Sequence, residues 1–194
     1  MIKRGAGISD RPVCDWLEVE DDDDFSTANL PFGVVAIDGR SRVVTRVGAS
    51  VIDLAAAGIA PELTDRPLLN RLMASGRGGA IREQVADLLT GPERREAVHA
   101  LGEVQVCLPV MIGDYVDFYS SLHHALNVGR QFRPDQPLTP NWRQLPIGYH
   151  GRTGTIVVSG TPIARPRGLF VERGEARAAL RPTAQLDFEL EVGF

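Results

Sequence analysis

Gly33-Val-Val-Ala-Ile37 and Arg42-Val-Val-Thr-Arg-Val47, joined across Asp38-Gly39, decide the fold of this chain. Both segments are crowded with β-branched residues, which suit a pleated, half-buried surface. Asp-Gly between them readily takes the positive φ of a tight hairpin turn. Working outward, Val51-Ile-Asp-Leu54 continues the β pattern. Upstream, the acidic run Glu18–Asp24 lacks the glycine and the closing glutamate of an EF-hand and reads as a solvated, self-repelling segment. Residues 1–15 read as a loose leader.

Downstream, the period changes. Ile81, Val85, Leu88 and Leu89 fall at i, i+4, i+7 and i+8, one apolar stripe along a helix. Thr90-Gly-Pro-Glu93 predicts the cap of a further helix running through His99 and Leu101. Pro109 interrupts the chain, which places a domain boundary between 16–109 and 110–194. The second part predicts a short helix over Tyr119–Val128 closed by Gly129. A proline-rich loop, a buried strand Thr155–Ser159 and an irregular basic connection from Arg165 to Arg181 follow. Leu186, Phe188, Leu190 and Val192 alternate with Asp187, Glu189 and Glu191, the pattern of a strand with one apolar and one acidic face. That strand reaches Phe194 without a turn signal, so the reading expects a chain cut short there.

The whole chain bounds the function. Its 194 residues are enough to bury a core, and 43% hydrophobic with 24% charged residues is an ordinary soluble composition. A net charge of −4 offers no basic footprint for nucleic acid. No apolar run approaches the ~20 residues of a membrane span, and the first residues lack the apolar stretch of a signal peptide. Two cysteines are too few for a disulfide framework, so a reducing cytoplasm is the expected setting.

Most of the chemistry lies between Asp117 and Asp135, where a carboxylate, a phenol, two histidines and a guanidinium fall close together. Asp187, Glu189 and Glu191 would share one face of a strand. Such carboxylates either face solvent as a polar edge or surround a cation, and all-oxygen ligation favours Mg²⁺, Ca²⁺ or Mn²⁺ over zinc. His123 and His124 point about 100° apart on a helix, so one of them at most faces a given site. His150 reads as a turn residue held by a main-chain hydrogen bond, Trp16 and Trp142 as packing residues, and Cys107 as a buried apolar one.

A longer pattern resembles a known family. Asp114-Tyr-Val-Asp-Phe-Tyr-Ser-Ser121, His124-Ala, Asn127-Val-Gly, Phe132-Arg, Pro140-Asn-Trp and Leu145-Pro-Ile-Gly-Tyr-His-Gly-Arg152 occur in order. Val157-Val-Ser-Gly-Thr-Pro162 and Leu186-Asp-Phe-Glu-Leu-Glu191 follow, and Asp24-Phe-Ser-Thr-Ala-Asn-Leu-Pro-Phe-Gly33 precedes them. Together these motifs resemble the fumarylacetoacetase family from about Trp16 onward. The resemblance implies a mainly β protein: a small SH3-like barrel domain with helices to about Pro109, then the first part of a larger β-rich catalytic domain. It implies hydrolysis of a carbon–carbon bond in 4-fumarylacetoacetate to fumarate and acetoacetate, a step of tyrosine and phenylalanine breakdown. Carried over by motif position, Asp117, Glu189 and Glu191 would bind Ca²⁺ or Mg²⁺, and His124 would be the general base. Tyr119, Arg133 and Tyr149 would hold the substrate. A homodimer is implied, as are a further aspartate, lysine and glutamate beyond Phe194.

Two other readings fit these residues. One is a related hydrolase acting on an acylpyruvate or similar oxo acid. The other is a non-catalytic binding or assembly module, or an inactive fragment, retaining the first half of the fold.

Overall fold

The computed structural model describes residues 14–20, 22–151, 153–172, 174–186, 188 and 190–193. Most of the expected leader 1–15 lies outside the described residues, as do Asp187 and Glu189. The opening hairpin forms as its sequence predicts. β1 (Phe32–Ile37) pairs antiparallel with β2 (Arg40–Val47), from Phe32 opposite Thr45 to Ile37 opposite Arg40. Asp38 and Gly39 turn the chain with φ of 48° and 73°, the two positive values a two-residue hairpin loop requires. β3 (Ser50–Asp53) pairs with β2.

The helix expected to open at Thr90 and run through Leu101 does not form. After a single 3-10 turn at Arg95–Ala97 the chain becomes β4 (Val98–Ala100), which pairs with β3 through Val98–Ile52 and His99–Val51. An unpaired β3 edge offered hydrogen bonds that outweigh the local helical signal. β5 (Gln105–Cys107) then pairs with β1, giving the order β4-β3-β2-β1-β5, all antiparallel. Among the described residues no ladder joins β4 to β5, so the sheet is not closed.

The sheet is nevertheless forced to curl. Its two edges would stand about 19 Å apart if flat, at ~4.8 Å per strand spacing. Between Ala100 and Gln105 lie only residues 101–104, three of them in a second 3-10 turn (Leu101–Glu103) that rises about 2 Å per residue. Five steps so wound cannot span a flat sheet. Instead this segment crosses one face, where Leu101, Val104 and Ile37 pack on buried Val35, Val44 and Val51.

The opposite face carries the main core. Val34, Val43, Val47 and Ile52 pack with Ile81, Val85 and Leu89 of α3 (Gly78–Thr90), all buried, while Leu88 on the stripe is half-buried against them. Two short helices, α1 (Pro61–Thr64) and α2 (Asn70–Ala74), complete the layer through Leu63 and Leu72. Polar clamps hold the connections. The Trp16 indole donates to the Leu89 carbonyl at 3.2 Å, and Arg82 donates to the carbonyls of Ala28, Asn29 and Leu30. Asp53, buried in β3, accepts from the Ala56 amide at 3.1 Å and lies 3.6 Å from Arg42, which also bonds Asp65. Beyond β5, Asn70 exchanges side-chain hydrogen bonds with the backbone of Met111, both 2.9 Å.

Contacts divide the chain into two compact units that meet between Val158 and Ser159. The first unit continues with β6 (Asp117–Phe118), α4 (Leu122–Phe132) and β7 (Gly148–Tyr149). The helix expected from Tyr119 starts three residues later, because Asp117–Phe118 pair with Tyr149–Gly148. Gly129 does not close it but lies inside it. Thr155 ends a 3-10 turn at Thr153–Thr155, and Val157 is 50% exposed, so the buried strand expected there is absent among the described residues. In the second unit, the connection expected to be irregular contains a hairpin, β8 (Arg167–Phe170) with β9 (Ala179–Pro182). Arg181 braces its loop through Glu175, at 2.9 Å, and Glu172. The described residues from Leu186 to Gly193 form no strand, although the sequence alternates there. Among the described residues no helix is long and apolar enough to cross a membrane.

Ile81 is fully buried where α3 meets the sheet. Ile81→Ala is expected to lower unfolding stability by about 2–5 kcal/mol, measured by urea denaturation. A loss under about 1 kcal/mol would mean that α3 is not seated on this core.

Candidate active site

The candidate residues gather on a strand–helix unit. Asp117 lies half-buried in β6 directly opposite Tyr149 in β7. The pairing extends one step further, where the Tyr119 amide donates to the Ile147 carbonyl at 2.7 Å. Trp142 fixes the same residue from another side, its indole donating to the Tyr119 carbonyl at 2.8 Å. The chain then turns into α4 at Ser121, whose hydroxyl accepts from the His124 amide at 3.3 Å as an N-cap. The cap sets His124 in the first turn, and the Tyr119 ring meets its imidazole edge-on, centroids 5.9 Å apart at 84°. The Tyr119 hydroxyl donates to the Ala125 carbonyl at 3.2 Å. Strand, aromatic ring and helix start are thus one braced unit.

Arg133 caps the other end of α4, roughly 13 Å along the axis from His124 at ~1.5 Å per residue. Its guanidinium donates to the Pro137 carbonyl at 3.3 Å. That carbonyl sits almost on the helix: a Cβ added at Gly129 would lie 2.0 Å from the Pro137 oxygen and 2.7 Å from its carbonyl carbon. Gly129 therefore serves close approach of the loop, the work that its sequence signal as a helix stop concealed. His123, His124, Arg133 and Tyr149 are each exposed. His150 is also exposed, with Nδ1 3.5 Å from an Asp114 carboxylate oxygen in place of the main-chain bond expected of it.

The structure brings together Asp117 with Tyr149, and Tyr119 with His124. Glu191 belongs to the second unit and is exposed, and Glu189 lies outside the described residues. Carboxylate oxygens are the right donors for Ca²⁺ or Mg²⁺, and Asp117 presents one on a fixed strand. Among the described residues no three His, Cys, Asp or Glu side chains gather into a metal set. Sequence reasoning missed Ser121, Gly129 and the bracing role of Trp142. Serine three residues before the His124 amide was the available signal for the cap.

The chain has relatives among known proteins. Residues 28–109 match the family model described as fumarylacetoacetase N-terminal. The chain is 37% identical over 201 residues to the fumarylacetoacetase of Arabidopsis thaliana, covering 91% of this chain and 48% of the relative. It is also 37% identical over 202 residues to that of Bos taurus, covering 92% and 48%. This chain is similar to fumarylacetoacetases over more than nine tenths of its length. It spans about half the length of the curated relatives it matches.

Within the family's frame, Gly129→Ala tests the loop seat. Alanine normally stabilises a helix interior by about 1 kcal/mol over glycine. Here it should instead destabilise α4, and the amides of Arg133 and Gln136 should lose protection in hydrogen exchange while β1–β3 keep theirs. A more protected helix would show that Pro137 does not pack on Gly129.

Proposed function

We propose that this chain supplies the amino-terminal part of a hydrolase that cleaves the carbon–carbon bond of 4-fumarylacetoacetate. The observation that carries the proposal is the Tyr119–His124 packing beside Asp117, in a chain 37% identical to fumarylacetoacetases. Water is a poor nucleophile, and an imidazole that takes its proton remedies that, since histidine's ordinary pKa lies near 6.5. His124 would fill this role, kept in place by the Ser121 cap and the Tyr119 edge. Arg133 offers a planar fork matched to a carboxylate and Tyr149 a phenolic donor, while Tyr119 would give up its bond to the Ala125 carbonyl to donate to a substrate oxygen. In hydrolysis, the water's oxygen ends on the acyl carbon as fumarate, and the freed carbon of acetoacetate takes a proton.

Asp117, Glu189 and Glu191 are proposed as carboxylate ligands of Ca²⁺ or Mg²⁺. A hard cation held there would supply Lewis-acid polarisation of the substrate's paired oxygens. We further infer that residues 16–109 form an SH3-like domain, supported by the curled five-stranded sheet and its 3-10 connection, with 110–194 belonging to the catalytic domain. A cytoplasmic homodimer is the assembly proposed for the intact enzyme.

A second reading, a non-catalytic assembly module, is favoured by one observation. Phe188, Leu190 and Val192 are 89%, 98% and 92% exposed, apolar side chains that a partner surface would cover.

The two readings separate in an assay of 4-fumarylacetoacetate and an acylpyruvate with Ca²⁺ or Mg²⁺. The chain would be tested alone and joined to the carboxy-terminal half of a related fumarylacetoacetase. Turnover of 4-fumarylacetoacetate in the joined form supports the hydrolase, and none in either form sinks it. In the active form, His124→Asn is expected to reduce kcat by about 10²–10⁴-fold and His123→Asn far less. Equal losses would remove His124 from the role of base. In a Ca²⁺ titration of the same form, Glu189→Ala should weaken binding more than Asp187→Ala, and the reverse order would take Glu189 out of the metal set.

A further inference from the structure

We propose that the cleft between Tyr119–Ser120 and the turn at 142–147 is a binding site for a small monocarboxylate, whose charge is taken by Arg143. The site shares Tyr119 with the hydrolase reading but needs neither Arg133 nor a cation. The cleft has a volume of about 280 Å³, just under the ~300–1,000 Å³ of pockets for drug-sized ligands.

Its walls are built before any ligand arrives. One is pinned by the Tyr119 amide on the Ile147 carbonyl at 2.7 Å, and the Trp142 indole ties it to the other at 2.8 Å. The turn itself is tied by the Trp142 amide on Thr139, at 3.0 Å, and by the Gln144 and Leu145 amides on the Asn141 carbonyl, at 2.8 and 3.1 Å. A preformed cleft spares a ligand the cost of ordering it.

The lining has one charge. Among the described residues around the cleft, Arg143 alone is ionised, with Ser120 and Gln144 as neutral polar groups and Trp142, Leu145 and Ile147 as apolar surface. The Arg143 guanidinium carbon lies 5.9 Å from the Trp142 ring centroid, so the indole keeps it at the mouth of the cleft. No ion pair with a described carboxylate neutralises it. A guanidinium fork takes a carboxylate in two parallel hydrogen bonds. The apolar atoms of Trp142, Leu145 and Ile147 can accept a short hydrocarbon stem. One carboxylate on a short stem matches this lining.

The test titrates the 194-residue chain with butyrate and with the uncharged butyramide, following the Trp142 indole N–H resonance, assigned with Trp142→Phe. Butyrate should give a saturable shift and butyramide none. Arg143→Gln, at an exposed position, should weaken butyrate about tenfold or more, the scale of one charge-assisted hydrogen bond. Leu145→Glu, which sets a negative charge in the cleft, should remove the response while the circular dichroism spectrum stays unchanged. An undiminished butyrate response in Arg143→Gln, or an equal response to butyramide, would overturn the proposal. Loss of the response in Arg133→Gln with retention in Arg143→Gln would also overturn it, by moving the carboxylate to the proposed hydrolase site. Inactivity of the joined enzyme leaves this binding result untouched.

Discussion

The connection from β4 to β5 is the constraint on which the first unit depends. Five residue steps must carry the chain between opposite edges of a five-stranded sheet, and three of the residues are wound into a 3-10 turn. The sheet can satisfy that only by curling, and the curl has two consequences. It lets Leu101 and Val104 cover Val35, Val44 and Val51, a face that would otherwise be wet. It also turns Val34, Val43, Val47 and Ile52 toward α3, so that the same strands bury residues on both faces. Adjacent Val43 and Val44, both buried, are the sequence mark of this two-sided role. A sheet with one wet face would alternate apolar with polar residues there.

A second device positions the candidate chemistry. The β6–β7 ladder is only two pairs long, too short to be stable by itself. It persists because side-chain and backbone bonds converge on Tyr119 from Ile147, Trp142 and Ala125. The helix that follows is capped by Ser121 and seated by the missing side chain at Gly129. His124 and Arg133 mark the two ends of this one rigid element, so their separation is set by helix length and not by loop geometry. A ligand engaging both would have to lie along α4.

The legible parts of the sequence were those where a local signal and the tertiary environment agree. The Asp38-Gly39 hairpin and the stripe Ile81, Val85, Leu89 are such cases, because turn chemistry and apolar spacing need no distant partner to be read. The misread parts are those where a distant partner decides. Residues 98–100 carry a helical context but lie beside the free edge of β3, and the ladder wins. Asp117–Phe118 precede a helical signal, but Gly148–Tyr149, some thirty residues on, pair with them. Gly129 reads as a stop signal by propensity, while its reason is the Pro137 carbonyl. The candidate site was legible only through motif likeness, since nothing in the spacing of Tyr119 and His124 shows that their rings touch.

The acidic residues near the end pose the remaining physical problem. Asp187, Glu189 and Glu191 alternate with Leu186, Phe188, Leu190 and Val192, and the described apolar members are strongly exposed. Burying four such side chains contributes roughly 6–12 kcal/mol at about 1.5–3 each. Ordering the seven backbone residues costs roughly 7–14 kcal/mol at about 1–2 each. The two terms nearly cancel, so burial alone does not order this segment against the mutual repulsion of three carboxylates. In the proposed intact enzyme, backbone pairing with another strand, a cation between the acids, or both would supply the difference. On the proposed metal site, strand order and metal occupancy would be coupled: a surface covering the apolar face would sharpen the carboxylate geometry, and a cation held by the carboxylates would steady the strand.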